Sequence, residues 1–276
     1  MGLRINTNIA SQTVQKNLRE VSSKGQDSLE KLSSGKRITK AADDAAGLAI
    51  SKNLEATTKG LRQATRNAND GISLVQTAEG GLNETSNILT RLRELTVQAS
   101  SDTIGDSERG FLDKEYQQLT TEVDRIAQST TFNGSNLLNG EGEQKDIQVG
   151  AYDGEQNRIT FDSSATNATA DAIGISSTSV ASKDDALGSM SQIDSAIEMV
   201  SGQRADLGSI QSRLQSTVSN LEVQALNQDA ARSVIEDVDV AAESAKMASS
   251  NVIKQAGVAT LSQANGIPNA ALRLVG

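Results

Sequence analysis

Cysteine, histidine and tryptophan are absent from this chain of 276 residues, which holds one proline and five aromatic residues in all. Without Cys or His there is no zinc site of the usual nitrogen or sulfur type, no thiol nucleophile and no Ser-His-Asp relay. No disulfide frame is available, so cysteine usage neither implies nor excludes secretion. The aromatics are Phe111, Tyr116, Phe132, Tyr152 and Phe161, all within one 51-residue window. The flanks must therefore pack with Ala, Leu, Ile and Val, which suits long helices meeting along narrow seams. One proline, where ordinary usage would give roughly 14, agrees with uninterrupted helix. The polar start carries no apolar run like that of a cleaved signal. Asn6 stands where a myristoylation signal wants Ser or Thr, and no stretch approaches the length of a membrane span.

What is present is helical periodicity. Ile5, Ile9, Val14, Leu18, Val21, Leu29 and Leu32 predict an amphipathic helix over 5–32, ended by Ser34-Gly35-Lys36-Arg37. Asp43-Asp44 suits the cap of the next helix, where negative charge opposes the helix dipole. Stepping by four and three from Ile50 to Leu92 meets an apolar residue at ten of thirteen positions, a coiled-coil seam. Ile72, Ile88 and Leu95 form a flanking stripe. A helix over 44–100 would be about 85 Å long, more than a compact ball can bury. A shorter helix is expected over 107–128, then turns at Asn133-Gly134 and Asn139-Gly140. Ile147, Val149 and Ala151, then Ile159 and Phe161, alternate around Asp153-Gly154 as a β-hairpin. Nine of the twenty residues in 163–182 are Ser or Thr, which reads as a low-complexity surface stretch. Helix resumes near 182–185. Ile193, Ile197, Val200, Leu207, Leu214, Val218, Leu221 and Ala225 keep the rhythm, with Arg204 and Gln211 intruding. A second register follows at Ile235, Val238, Ala242, Ala245, Ser249, Val252, Ala256 and Ala259. The fold class is mainly α: long antiparallel helices forming coiled coils or a bundle, with a small β-hairpin in the middle.

The net charge is −9, yet residues 1–43 carry eight basic and four acidic groups. The acidic cluster Glu236, Asp237, Asp239 and Glu243 is expected to face that basic segment, within or between subunits. The paired carboxylates Asp43-Asp44 and Asp184-Asp185 each precede a helix and read as caps, not as acid–base pairs. Gly80 and Gly81 lie in a helical pattern and lack the Lys-Ser/Thr of a phosphate loop. The Lys36-Arg37-Lys40 patch has no aromatics beside it, in an acidic whole, and does not point to nucleic acid. No constellation supports an enzyme, and no cofactor is expected. Two readings remain open from pattern alone: surfaces meant for copies of the same molecule, and a self-contained helical bundle.

Several runs resemble bacterial flagellins. They are Arg4-Ile5-Asn6-Thr7-Asn8-Ile9, Ser28 through Gly35 to Ala41-Ala42-Asp43-Asp44-Ala45-Ala46-Gly47-Leu48, Arg91-Leu92-Arg93-Glu94-Leu95, Phe132-Asn133-Gly134, Ile235-Glu236-Asp237, Gln255-Ala256-Gly257 and Gln263-Ala264-Asn265. The resemblance implies a secreted, self-assembling filament subunit, located in the extracellular flagellum and binding neither nucleic acid nor membrane. It implies halves of an inner-tube coiled-coil domain at 1–43 and 233–276, and halves of a rod domain at 44–162 and 183–232. Residues 163–182 would be a surface loop in place of outer domains. The polymerisation helices would use Ile5, Ile9, Leu18, Val21, Leu29, Leu32, Ile235, Val238, Val252 and Ala256. A subunit or Toll-like receptor 5 contact would use Arg91, Leu95 and Glu115, with Arg93 and Glu94 adjacent. Other implied partners are an export chaperone on 233–276, the type III export apparatus, and the filament cap and hook-junction proteins. Val240 and the ending Leu272-Arg273-Leu274-Val275-Gly276 depart from the family pattern. The alternatives are a hook–filament junction protein of the same family and a monomeric secreted receptor-binding helical module.

Overall fold

The computed structural model describes residues 7–275, and side chains up to Gly266. Ile5 and the other residues of the opening run before Thr7 lie outside the described residues, as do the side chains of the Leu272–Gly276 ending. The helices are α1 (Ile9–Ser34), α2 (Ala45–Ala99), α3 (Asp106–Ser129), α4 (Lys183–Glu236) and α5 (Val240–Val275). Between α3 and α4 lie two antiparallel strand pairs, β1 (Thr131–Phe132) with β2 (Ser135–Asn136) and β3 (Gln144–Gln148) with β4 (Arg158–Asp162). The protein is mainly helical, with only these small pieces of sheet.

Local chemistry sets the helix ends. Asn8 caps α1 through its side chain to the Ser11 amide, and Gly35 closes it with φ 71°, a conformation that suits glycine. The two aspartates before α2 divide their work. Asp44 accepts from the Gly47 amide at 2.8 Å and caps the helix, whereas Asp43 accepts from the amides of Thr39 and Lys40 and ties the preceding turn. Ser182 and Asp185 start α4 with a reciprocal pair: Asp185 N–H donates to Ser182 Oγ, and Ser182 Oγ–H donates to Asp185. Asp239 caps α5 by accepting from the amides of Ala241 and Ala242.

The chain forms two compact units, Met1–Ala56 with Asn227–Gly276, and Thr57–Leu226. These divisions fall inside α2 and α4. The first turns of α2 join the terminal unit because Ser51 Oγ donates to Glu236 at the end of α4.

In the central unit, every position of the α2 stripe from Thr57 to Leu92 is buried. Leu61 and Ala64 meet Leu221 and Ala225 of α4, and further along Arg93 pairs with Asp194, so the two helices run antiparallel. α2 continues unbroken through Gly80-Gly81, and Gly81 is needed: a Cβ there would lie 2.6 Å from Leu138 Cδ1. The hairpin pairs Ile147 with Ile159 and Lys145 with Phe161, as the alternation predicts, with Phe161 fully buried. The smaller hairpin β1–β2 was not expected as strand. Its two-residue turn uses Asn133 (φ 49°) and Gly134 (φ 76°), the left-handed pair that a tight hairpin demands.

The expectation of a solvated stretch over 163–182 is corrected. Ala168, Ala170, Ile173, Ile175 and Val180 are in the core, and Ser163, Thr166 and Thr178 are buried. The Ser and Thr side chains do not need water, because they bond within the protein. Asp113 of α3 accepts from the Val180 amide and the Ser179 hydroxyl, both at 2.9 Å, and Asp124 accepts from the Ala170 amide at 2.7 Å. Asp113→Ala leaves that amide without its acceptor. Urea melts should show a loss of about 1–3 kcal/mol, with faster hydrogen exchange at Val180. A solvated loop would register neither change.

Candidate assembly interface

The terminal unit is an antiparallel pair of helices whose contact stripe steps by four and three: Ser11, Val14, Leu18, Val21, Gly25, Ser28 and Leu32 on α1. Opposite them on α5 stand Glu243, Met247, Ser250, Gly257, Leu261 and Ala264. Polar groups tie both ends. Asn8 Nδ2 donates to the Ala264 carbonyl at 2.9 Å, Ser11 Oγ to Asn265 Oδ1 at 2.7 Å, and Ser28 Oγ to Glu243 Oε1 at 2.7 Å. The α5 register expected from sequence is therefore corrected. Ala242, Ala245, Ser249, Val252, Ala256 and Ala259 lie on the exposed side, and the face against α1 carries small and polar residues instead. A search for apolar residues passes over Ser, Gly and Glu even at the right spacing.

The result is that large apolar side chains stay exposed on both helices. Val240, Val252, Ile253 and Val258 on α5 are 51–66% exposed, and Ile9 and Leu29 on α1 are 58% and 59% exposed. Of the residues expected to serve polymerisation, Leu18, Val21 and Leu32 line the pair's own seam. Ile9, Leu29, Val252 and Ala256 face outward, and Ile235 and Val238 are half-buried.

The two connectors of this unit, between α1 and α2 and between α4 and α5, clasp each other. Arg37 N–H donates to the Glu236 carbonyl at 2.6 Å and Val238 N–H to the Gly35 carbonyl at 3.0 Å. Lys36 pairs with the buried Glu236 carboxylate, which also accepts from Ser51. The basic N-terminal segment thus meets the acidic cluster within one chain. The Lys36 ammonium, then the Ser51 hydroxyl, hold the Glu236 carboxyl below its ordinary range despite burial. The Ser28 hydroxyl, then Lys246, do the same for Glu243.

In the central unit, Arg91 donates to Glu115 at 2.8 and 3.0 Å and to Glu94 at 3.0 Å, and Arg93 donates to Asp194 at 2.6 Å. These five side chains are exposed or nearly so. Leu95 is not among them: it is fully buried in the core, one step round the helix, and offers no partner a surface. Phe111, one turn before Glu115 on α3 and 66% exposed, was not picked out from sequence. Its isolation from any apolar run hides it there.

Residues 5–143 match the family model of the bacterial flagellin N-terminal helical region, and residues 190–275 match that of the C-terminal helical region. The chain belongs to the bacterial flagellin family. It is 41% identical to a flagellin of Halalkalibacterium halodurans over 98% of this chain and 99% of that one. It is 39% identical to a flagellin of Bacillus subtilis over 99% of this chain and 100% of that one. The crystal structure of Bacillus cereus flagellin superposes with a TM-score of 0.51 at 32% identity, covering 60% of this chain and 94% of that one. Among the described residues of this flagellin, no helix is long and apolar enough to cross a membrane.

The clasp generates two expectations. Lys36→Glu should accelerate hydrogen exchange at Arg37 and Val238 by at least about tenfold, since stranding a buried charge costs several kcal/mol. Unchanged exchange there would show that the backbone pairing holds without the ion pair. Acid should act alike. A carboxyl held below its unfolded value of about 4.3 stabilises the fold above that pH and ceases to do so as pH falls through its folded value. The protection of the same amides, taken relative to intrinsic exchange at each pH, should therefore fall below about pH 4 and be flat from pH 6 to 8.

Proposed function

We propose that this flagellin, a structural subunit of the flagellar filament, polymerises through the uncovered face of its terminal helix pair. The observation that carries this reading is the exposed apolar side of α5, where Val252 and Ile253 lie with Ala242, Ala245, Ala256 and Ala259. Water-exposed apolar side chains on one side of a helix gain by meeting another surface, at about 25 cal/mol per Å² buried. The partner of that face is another copy, so the filament is a homopolymer in the extracellular flagellum. Residues 1–43 and 233–276 form the inner tube, and 44–232 the surrounding rod.

Ordering the terminal segments costs roughly 1–2 kcal/mol per residue in backbone entropy. The pair's own seam mixes Val, Leu and Met with small and polar residues and offsets only part of that cost. In this reading the segments are disordered in the free subunit and fold as they dock. Before export through the type III apparatus, the same apolar face of 233–276 is held by a chaperone. The filament cap and the hook-junction proteins meet the growing ends. The Arg91, Arg93, Glu94 and Glu115 cluster supplies the rod contact to a neighbouring subunit and, on the free subunit, the surface met by Toll-like receptor 5. Its support is geometric: Arg91, Glu94 and Glu115 are held together by mutual bonds on an exposed surface, and Arg93 is held by Asp194. The curated relatives are structural proteins, so no chemistry is assigned.

Seeded assembly tests the reading. Heat-dissociated protein, cooled with short filament fragments, should grow long tubes seen by light scattering and electron microscopy. Val252→Asp should slow elongation at least about tenfold while leaving the melting of the central unit unchanged, since one charge buried in an apolar contact costs more than 1.4 kcal/mol. A chain cut to 44–232 should not elongate at all. Filaments from either, at the parental rate, would overturn the proposal. So would a parent that stays monomeric with seeds.

A further inference from the structure

The seam between α1 and α5 poses a problem of register. Small residues recur along it: Ser11, Gly25 and Ser28 on one helix, Ser250, Gly257 and Ala264 on the other. Sliding one helix along its partner by seven residues, roughly 10 Å, keeps the four-three stripe in contact. In one direction the slide sets Leu18 against Ser250, in the other Gly25 against Gly257. Val21 then meets Met247 in the first case and Leu261 in the second, apolar against apolar in both. Packing alone distinguishes these arrangements poorly.

Glu243 distinguishes them. It is 7% exposed, its Oε1 accepts from Ser28, itself 6% exposed, and its Oε2 accepts from Lys246 on the next turn. A slide of seven residues removes Ser28 and sets Val21 or Gly35 in its place. A buried carboxylate oxygen then loses its donor and gains an apolar wall or bare backbone. Ser11 and Asn265 form a second such pair at the far end, but it is the less buried of the two: Asn265 is exposed.

We propose that Glu243, through its hydrogen bond to Ser28, is the residue within the seam that fixes the register of the terminal helix pair, adding to the clasp between the connectors. It is a positioning residue for assembly, since register decides which apolar side chains line up on the outward face. A polar group at a seam position that trades stability for a single alignment is a known use of such residues. The inference rests on the assembly reading in one respect only, that alignment is measured in the polymer.

The absence of cysteine allows a direct readout by engineered disulfides. A Cβ at Gly25 lies 3.7 Å from Ser250 Cβ, within the range a disulfide spans. Gly25→Cys with Ser250→Cys therefore reports the observed register, and Leu18→Cys with Ser250→Cys reports the slipped one. In oxidised filaments with Glu243 intact, only the first pair should close within a chain. Glu243→Leu should raise closure of the second pair at least about fivefold, because the penalty on slipping is gone. Glu243→Gln, still able to bond Ser28, should keep the observed register. Glu243→Leu filaments with unchanged yields of both pairs, or Glu243→Gln slipping as far as Glu243→Leu, would overturn the proposal. If Glu243→Leu does not polymerise, Ser28→Ala provides the same reading, and no rise in the slipped pair would count against it. Failure of the parental pairs to polymerise would instead fall on the assembly reading, and the same two disulfides in the free chain would then report the register.

Discussion

A helix pair built from Ala, Leu, Ile and Val can bury only a narrow stripe, and that limit governs how each unit is completed. The central unit overcomes it by adding layers. α2 and α4 bury one face each against the other, and α3, the hairpins and the Ser/Thr-rich strap cover what remains, so that Leu89, Leu92 and Leu95 reach zero exposure. The few aromatics are spent here, with Tyr116 and Phe161 both fully buried. The terminal unit has two helices and a clasp, and nothing else to add. One face of α5 meets α1, and the side with Val252, Ile253 and the exposed alanines has no cover among the described residues. On the proposed reading a second copy supplies the missing layer.

This division explains why the seam within the pair is partly polar. Had the apolar face of α5 been turned toward α1, the pair would hold firmly alone and leave a polar exterior with little to gain from another copy. The observed arrangement lies between the two: Ser, Gly and Glu share the seam with Val14, Leu18, Val21, Leu32, Met247 and Leu261, while Val252 and Ile253 stay outside. On the proposed reading part of the stability is deferred to association, where each buried apolar side chain is worth about 1.5–3 kcal/mol. The clasp of Lys36 with Glu236 sits where both connectors leave the long helices, so the two terminal helices start from a fixed point whichever face is covered.

Much of this architecture was legible in the sequence, and the exceptions share a cause. The α2 stripe, the end of α1 at Gly35, the β3–β4 hairpin and the meeting of basic and acidic ends all follow from patterns of residue type that physical chemistry constrains tightly. The α5 register did not, because a search for apolar periodicity finds the most apolar face, and on α5 that face points outward. Residues 163–182 were misread because Ser and Thr were taken as solvated. Asp113 and Asp124 are distant in sequence, so their role as acceptors for that strap is invisible without coordinates. Leu95 enters the contact set only through the resemblance; the apolar periodicity that places it with Ile72 and Ile88 agrees with its burial.

The Arg91 cluster illustrates how charge serves such a surface. Arg91 is already bonded to Glu115 and Glu94, and Arg93 to Asp194, so an incoming carboxylate must compete with partners in place. Exposed pairs of this kind contribute about 0–1 kcal/mol to stability. Their use lies elsewhere: held side chains lose less entropy on binding than free ones, and a fixed pattern of charge discriminates between approaches. On the proposed reading, affinity comes from the apolar side of the terminal pair and orientation from the rod. A neighbour that satisfied only one of them would gain too little to stay, which would make correct docking depend on both contacts at once.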